Sequence, residues 1–241
     1  MNEKQETIQL DKYLVTRNKD TPRFHNRTEL MNRFIKRCKG NLLDLGCGEG
    51  NHSQKMIKTF GKKFNYFCLD TSKVATELTK EKVGKNATII HNSIFKIKTG
   101  EYNTIVLGEV LEHINEDQRF LNRINQLLTS NGDLVISVPY NKRLWTKHDE
   151  NICHKRRYDK QELLQKLKKA GFQIKDYVIW GFPLTRLLYN KLQTECDLIA
   201  ESNENAKKYD WLLPTTKIVF SLDNLFNWME NGVGIIVHAK K

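Results

Sequence analysis

Residues 41–50, NLLDLGCGEG, constrain this chain more than any other stretch, because an acid and three alternating glycines follow directly on a short apolar run. Asp44, Gly46, Gly48 and Gly50 make the pattern D-x-G-x-G-x-G. Glycine is needed where a chain leaves a buried strand, turns through left-handed backbone angles and lets a ligand approach its backbone. The pattern predicts a strand, a tight loop and a helix, with a nucleotide-like cofactor at the loop. A structural turn followed by a surface acid is the plainer alternative.

Context favours the cofactor. The apolar run 42–45 precedes the loop, and 52–60 is helix-compatible. A second strand-like run, 64–69, ends in Asp70. In nucleotide-binding α/β domains an acid at the tip of the second strand accepts hydrogen bonds from ribose hydroxyls. Asp44 inside the loop would repel a pyrophosphate but attract a cationic amino-acid moiety. Further along, 102–114 reads YNTIVLGEVLEHI, a strand running into a loop and helix, and 127–141 reads LLTSNGDLVISVPYN, a turn followed by a strand.

These segments together resemble the class I S-adenosylmethionine-dependent methyltransferases, with DLGCGEG as the first motif, Leu69-Asp70 as the second and EVLEH as the fourth. The resemblance covers about residues 20–140. It implies a Rossmann-like α/β fold, with a seven-stranded, mostly parallel sheet, helices on both faces and an antiparallel final strand. It also implies S-adenosylmethionine as the cofactor. Around the methionine and ribose parts it puts Asp44, Gly46, Cys47, Gly48 and Gly50. Asp70, with Thr71 beside it, falls at the ribose hydroxyls, and Asn92 with Ser93 at the adenine. The family often has an acid where Asn92 stands, so that hydrogen bond lacks charge assistance here. Glu109 is expected at the methionine end. Arg27 is expected on the cofactor carboxylate, with a surface ion pair as the alternative.

Apolar periodicity organises the rest. It predicts a helical segment over about 27–38, strands at 42–45, 64–69, 87–91, 104–107, 134–138, 172–180 and 233–239, and a helix over 161–170 that stops at Gly171. One domain is expected, comprising a helical lead-in (1–40), the cofactor-binding core (41–180), a helical insertion (181–231) and the last strand (232–241). The insertion has two apolar stripes separated by the polar stretch 201–209. Leu184, Leu187, Leu188 and Leu192 make one; Ile218, Val219, Leu222, Leu225, Phe226 and Met229 make the other. Packing on the parent domain is the plainer reading. A cap over the acceptor, or a surface for a lipid-linked substrate or second subunit, is the other.

Residues 137–172 resemble a subgroup of bacterial methyltransferases with a VP…LW…HDE…H-x-R-R-Y…AGF pattern. Pro139, Leu144, Trp145, His148, Asp149, Glu150, His154, Arg156, Arg157, Tyr158 and Ala170-Gly171-Phe172 carry the match. It implies a small-molecule, sugar or lipid-linked acceptor, and O-methylation is the expected reaction. A segment leaving the carboxyl end of the fifth strand lies beside the cofactor crevice. Trp145, Asp149, His154, Arg157 and Tyr158 are therefore expected to line the acceptor, unless an Arg–Asp pair and a buried tyrosine simply hold the loop closed. An alcohol acceptor gains about 10²–10⁴-fold from a base, and His113 and His148 are the candidates.

The formal net charge of +12 draws anions, among them nucleic acid, anionic lipid at a membrane surface and phosphorylated metabolites. A nucleic-acid methyltransferase is a weaker alternative, because the fourth motif lacks the N/D-P-P-Y/F tetrapeptide and no recognition module accompanies the charge. A noncatalytic cofactor-binding subunit is another. The spacing Glu109…Glu112-His113 matches the metal-binding motif of small-RNA ribose methyltransferases, which needs a further histidine, a part left to His148 or His154. EVLEH also occurs in members that use no metal, and no metal is expected. Five irregularly spaced cysteines without a C-x-x-C pair suggest neither disulfides nor zinc, and Cys47 and Cys68 read as packing residues. With no apolar run of about 18 residues and a polar amino terminus, the expected location is the cytoplasm.

Overall fold

The structure, a computed structural model, describes residues 21–187 and 221–241. Each apolar run becomes a strand of one sheet: β1 (Gly40–Leu45), β2 (Phe64–Asp70), β3 (Ala87–His91), β4 (Tyr102–Gly108), β5 (Leu128–Pro139), β6 (Gln173–Trp180) and β7 (Gly234–Lys240). Their order is β3-β2-β1-β4-β5-β7-β6. The first five pair in parallel, whereas β7 lies antiparallel between β5 and β6. The sheet is thus seven-stranded and mostly parallel, with the final strand reversed, as expected.

Alternation along the central strands divides the core in two. Leu43, Ile105 and Leu107 point to a face covered by α4 (Asp117–Leu127) and α6 (Lys160–Lys169), through Phe120, Leu121, Ile124, Leu163 and Leu167. Leu42, Val106 and Val135 point to the opposite face, where Leu30, Met31, Phe34 and Ile35 of α1 (Pro22–Ile35) and Met56 of α2 (Asn51–Phe60) cover them. Successive strand residues face opposite ways, so a run that is apolar without interruption requires cover on both sides.

Three local features differ from the periodic reading. Helix α1 starts at Pro22 rather than near 27, because the Thr21 side chain accepts the Phe24 N–H at 3.1 Å and proline occupies the first turn. Strand β5 starts at Leu128 rather than 134. The expected turn is instead an irregularity inside the strand, since Tyr102 opposes Leu128 while Thr104 opposes Asp133, with Asn131 at φ +62°. A short helix, α5 (Lys147–Asn151), interrupts the acceptor segment, started by a capping box between Thr146 and Asp149.

In the insertion, Leu222–Met229 forms a 3₁₀ helix whose Asp223 carboxylate accepts the N–H groups of Leu184 and Thr185, both at 2.8 Å. Leu222, Leu225, Phe226 and Met229 are exposed, as is Leu187, whereas Leu184 is half-buried. Leu188, Leu192, Ile218, Val219 and the stretch 201–209 lie outside the described residues.

Gly50 ends the glycine loop at φ +79°, and a Cβ there would stand 2.9 Å from the Cα of Thr79, on α3 (Lys73–Val83). Backbone cannot swing aside as a side chain does. Gly50→Ala should therefore cost about 1–3 kcal/mol in urea unfolding; an unchanged midpoint would mean that the loop relaxes freely.

Candidate active site

The order of the sheet reverses between β1 and β4, so the loops leaving their carboxyl ends diverge and leave a crevice. On one bank the glycine loop is stitched to the end of β2. The N–H groups of Gly46 and Cys47 donate to the Leu69 carbonyl at 2.8 and 3.1 Å, and the Gly48 N–H donates to Asp70 Oδ2 at 2.9 Å. Asp70 Oδ1 accepts the Ser72 N–H, also at 2.9 Å. Beyond it, the Asn92 N–H donates to the Asp70 carbonyl at 3.2 Å, and Asn92 Oδ1 accepts the Ser93 N–H. Gly46, Cys47, Gly48, Gly50, Asp70, Thr71, Asn92 and Ser93 thus gather along three neighbouring strand tips.

Asp44 lies beneath this loop, 3 % exposed, and accepts a hydrogen bond from the Ser53 hydroxyl. Burial raises its carboxyl from an ordinary 3.8 to about 6, against the pull of Ser53 and with a further push from the Asp70 charge. Cys47 is buried, and a hydrogen bond with Cys68 together with burial pushes its thiol far upward, as fits a packing residue.

The opposite bank starts at Glu109, which takes a left-handed backbone, φ +58°, directly after β4. Arg23 and Arg27 each approach Glu109 Oε2 at 3.5 Å, and the Ser137 hydroxyl donates to Oε1 at 2.7 Å. Burial alone would raise the Glu109 carboxyl, but the two guanidinium groups and Ser137 hold it below its ordinary range. Arg27 therefore meets an acid of its own chain at the rim of the crevice. His52, at the start of α2, is buried, and its Nε2 has no hydrogen-bond partner among the described residues. Burial, with help from Arg27 and Lys55, lowers its basicity to about 3.

Further along this bank, Glu112 and His113 end a short 3₁₀ turn and meet His154. The rings of His113 and His154 stand edge to face, 4.8 Å between centroids. Burial, then the His154 charge, lowers His113 to about 4. Glu112 is wholly buried, and burial and the Glu109 charge raise its carboxyl well above the ordinary range. The histidine brought to His113 is His154; His148 stands half-buried on α5.

Three residues expected at the acceptor belong to the interior. Asp149, Arg157 and Tyr158 are at most 1 % exposed. Arg157 grips Asp149 with two bonds, Nε to Oδ1 at 3.0 Å and Nη2 to Oδ2 at 2.8 Å, and His154 Nδ1 adds a third contact at 2.8 Å. Burial would raise the Asp149 carboxyl, but these partners hold it well below its usual range. Tyr158 donates to Asp117 Oδ2 at 2.9 Å. Asp149, Arg157 and Tyr158 position the segment. Trp145, by contrast, is 38 % exposed and donates to Glu150 Oε1 at 3.3 Å. Sequence reasoning passed over Arg23, Ser137 and His52 as site residues; no motif marks them, and only the approach of α1, α2 and β5 to β4 brings them here.

A family described as a methyltransferase domain matches residues 23–177, and the chain belongs to it. Malonyl-[acyl-carrier protein] O-methyltransferase 1 of Ilyobacter polytropus is 25 % identical over 143 residues, 56 % of this chain and 53 % of that protein. The match thus spans about half the length of this curated relative. Among solved structures, the N-methyltransferase NodS from Bradyrhizobium japonicum WM9, in complex with S-adenosylhomocysteine, superposes with a TM-score of 0.63 over 98 % of both chains at 13 % identity. The [4+2]-cyclase SpnF superposes with the same score, 0.63, over 89 % of this chain and 80 % of its own at 17 % identity. At such identities the likeness is one of fold. The chain is a class I methyltransferase, and S-adenosylmethionine is the cofactor of that family.

The crevice fits a cationic cofactor, because Asp44 is a buried acid whose charge a single hydroxyl compensates poorly. The folded protein binds a proton at Asp44 more readily than the unfolded chain, so this group's contribution to stability falls as pH rises from about 4 through about 6. Asp44→Asn removes that slope. Urea unfolding should show the variant gaining roughly 2–3 kcal/mol on the wild type between pH 4 and 7.5, whereas a constant difference would mean Asp44 titrates normally. Arg157→Ala strands the Asp149 charge inside the fold and should cost about 3–5 kcal/mol by the same measurement.

Proposed function

We propose that the chain transfers a methyl group from S-adenosylmethionine to an oxygen of a small-molecule, sugar or lipid-linked acceptor. The observation that carries this reading is the glycine loop bonded to the Asp70 carboxylate and lying over the buried Asp44, at the point where the order of the sheet reverses. The bound cofactor supplies an electrophilic methyl group on a positively charged sulfur. Asp44 and the glycine loop surround its methionine and ribose parts. The Gly48 and Ser72 N–H groups hold the Asp70 carboxylate at the tip of β2, where it meets the ribose hydroxyls. Asn92 and Ser93 border the adenine, and Arg23 and Arg27 are the cations at hand for the carboxylate.

Displacement at a methyl carbon depends mainly on alignment, a contribution of several kcal/mol that rigid positioning supplies. The Asp149–Arg157 pair and the Tyr158–Asp117 bond hold the acceptor segment for that purpose. His113 and His148 are the candidates to accept a proton from an alcohol; burial lowers His113 to about 4, which keeps it neutral at pH 7 but makes it the weaker base. Trp145 offers an exposed ring to the acceptor. The relative named as an O-methyltransferase supports oxygen as the accepting atom. Exposed Leu225, Phe226 and Trp228 on a chain of net charge +12 support a lipid-linked acceptor met at an anionic membrane surface. Among the described residues no helix is long and apolar enough to cross a membrane.

Calorimetric titration with S-adenosylmethionine tests the cofactor half. Asp70→Ala should lose about 1–3 kcal/mol of affinity with the charged hydrogen bonds it removes, and unchanged affinity would move the site elsewhere. Methyl transfer from labelled cofactor to a panel of sugars and lipid-linked sugars tests the acceptor half. Tight cofactor binding without transfer to any acceptor would favour the noncatalytic subunit.

A further inference from the structure

We propose that Glu112, His113 and His154 form a binding site for a divalent transition-metal cation of the zinc class. One ligand atom from each lies within 4.8 Å of the other two, and the donor set is two imidazoles and one carboxylate. That set suits zinc and its neighbours, and three protein ligands leave a coordination position open. Neither oxygen of the wholly buried Glu112 carboxylate has a hydrogen-bond partner among the described residues, and neither does His113 Nδ1. A native interior rarely leaves such atoms unsatisfied without a reason.

The geometry around the three residues supplies the reason. His154 Nε2 stands 3.7 Å from Glu112 Oε1. That gap is too long for a hydrogen bond. It is close to the separation of about 3.4 Å between two ligands that each sit about 2.1 Å from a tetrahedral ion. The far side of each histidine is already held. His154 Nδ1 contacts Asp149 Oδ1 at 2.8 Å, and since a carboxylate only accepts, a proton lies on Nδ1, so that in the neutral ring the Nε2 lone pair faces Glu112. His113 has a backbone hydrogen bond with Cys153. A carboxylate behind one histidine and a backbone group behind the other are the outer partners that orient metal-binding imidazoles. Asp149 is fixed in turn by Arg157 through two bonds.

The other histidine-containing cluster among the described residues, Cys38, Asp133 and His238, lacks this arrangement. There His238 Nε2 is spent on Asp133 at 2.8 Å, and the Cys38 thiol donates to the Phe34 carbonyl at 3.5 Å. The Glu112 cluster joins the turn after β4 to the segment beyond β5, where the Lys155 N–H also donates to the Glu112 carbonyl at 2.8 Å. An ion there would tie the two walls of the acceptor end together. The proposal departs from the sequence expectation of no metal, and an ion there would take the His113 lone pair and leave His148 as the candidate base.

The test uses all 241 residues of the chain, freed of any histidine tag and stripped with chelator, titrated with Co²⁺ and followed by visible absorption. One equivalent should bind, with ligand-field bands of four- or five-coordination that Zn²⁺ abolishes. Glu112→Gln and His154→Gln should each weaken binding at least about tenfold, while His238→Gln leaves it unchanged. Long-range histidine ¹H–¹⁵N spectra of the wild type with Zn²⁺ give the same answer without a variant, and His113 and His154 should shift. Failure of the folded wild type to take up Co²⁺, Zn²⁺ or Mn²⁺ would overturn the site, as would a spectrum that survives both substitutions. S-adenosylmethionine titration of the stripped protein separates the two readings. Cofactor binding without metal uptake removes the metal site alone; metal uptake without cofactor binding removes only the proposed transfer.

Discussion

The rest of the structure depends on β1 lying in parallel between β2 and β4. Leu42 pairs with Tyr66 on one side and Thr104 on the other, and Asp44 pairs with Cys68 and Val106. Flanked on both edges and covered on both faces, β1 leaves no solvated side for its one acid, so Asp44 is forced into the interior. Chain order reverses at the same strand, and the loop after β1 opens at the only edge where its neighbours' loops turn away. Burial of the acid and opening of the crevice are two consequences of one placement.

Buried acids in this fold fall into two kinds. Asp149 is surrounded by donors from Arg157, His154 and the Thr146 backbone, and its negative charge is stable inside the protein. Asp117 is similar, with Lys166, Arg156 and Tyr158 around it. Asp44 and Glu112 are of the other kind, enclosed with little to answer their charge. Removing a partner from a buried ion is costly, so a carboxyl group that lacks one in the folded chain points to a cation that comes from outside. Both such groups lie at the carboxyl ends of β1 and β4, the two strands that bound the crevice.

How much was legible can be followed residue by residue. The loop from Gly46 to Gly50 and the acid at Asp70 could be read because strand, loop, helix and second strand follow one another directly, and the requirements at each position are local. The seven strands could be read for the same reason, since the apolar pattern of a strand is local to its own run and needs no knowledge of its partners. The bulge at Asn131 was less legible, because an Asn-Gly pair is good turn chemistry and only pairing with β4 draws it into a strand. The acceptor segment was legible as a motif, and of its two readings Asp149, Arg157 and Tyr158 follow the one in which an Arg–Asp pair and a buried tyrosine hold the loop closed. Asp149 and Arg157 are polar types that normally face water, and only their pairing with each other, as that of Tyr158 with Asp117, allows them inside.

The sequence by itself therefore determined the fold class, the strand order's starting point at the glycine loop and the family of the cofactor, because these rest on patterns within a few residues of one another. Only the tertiary structure decided that Arg27 and Arg23 both meet Glu109, that His154 rather than His148 stands beside His113, and that the Glu112 carboxylate lies near both histidines with no hydrogen-bond partner among the described residues. Such contacts join α1 to β4 and the turn after β4 to the chain beyond β5. A one-dimensional pattern does not carry them, because distance along the chain places no limit on which side chains the sheet's order of strands will bring together.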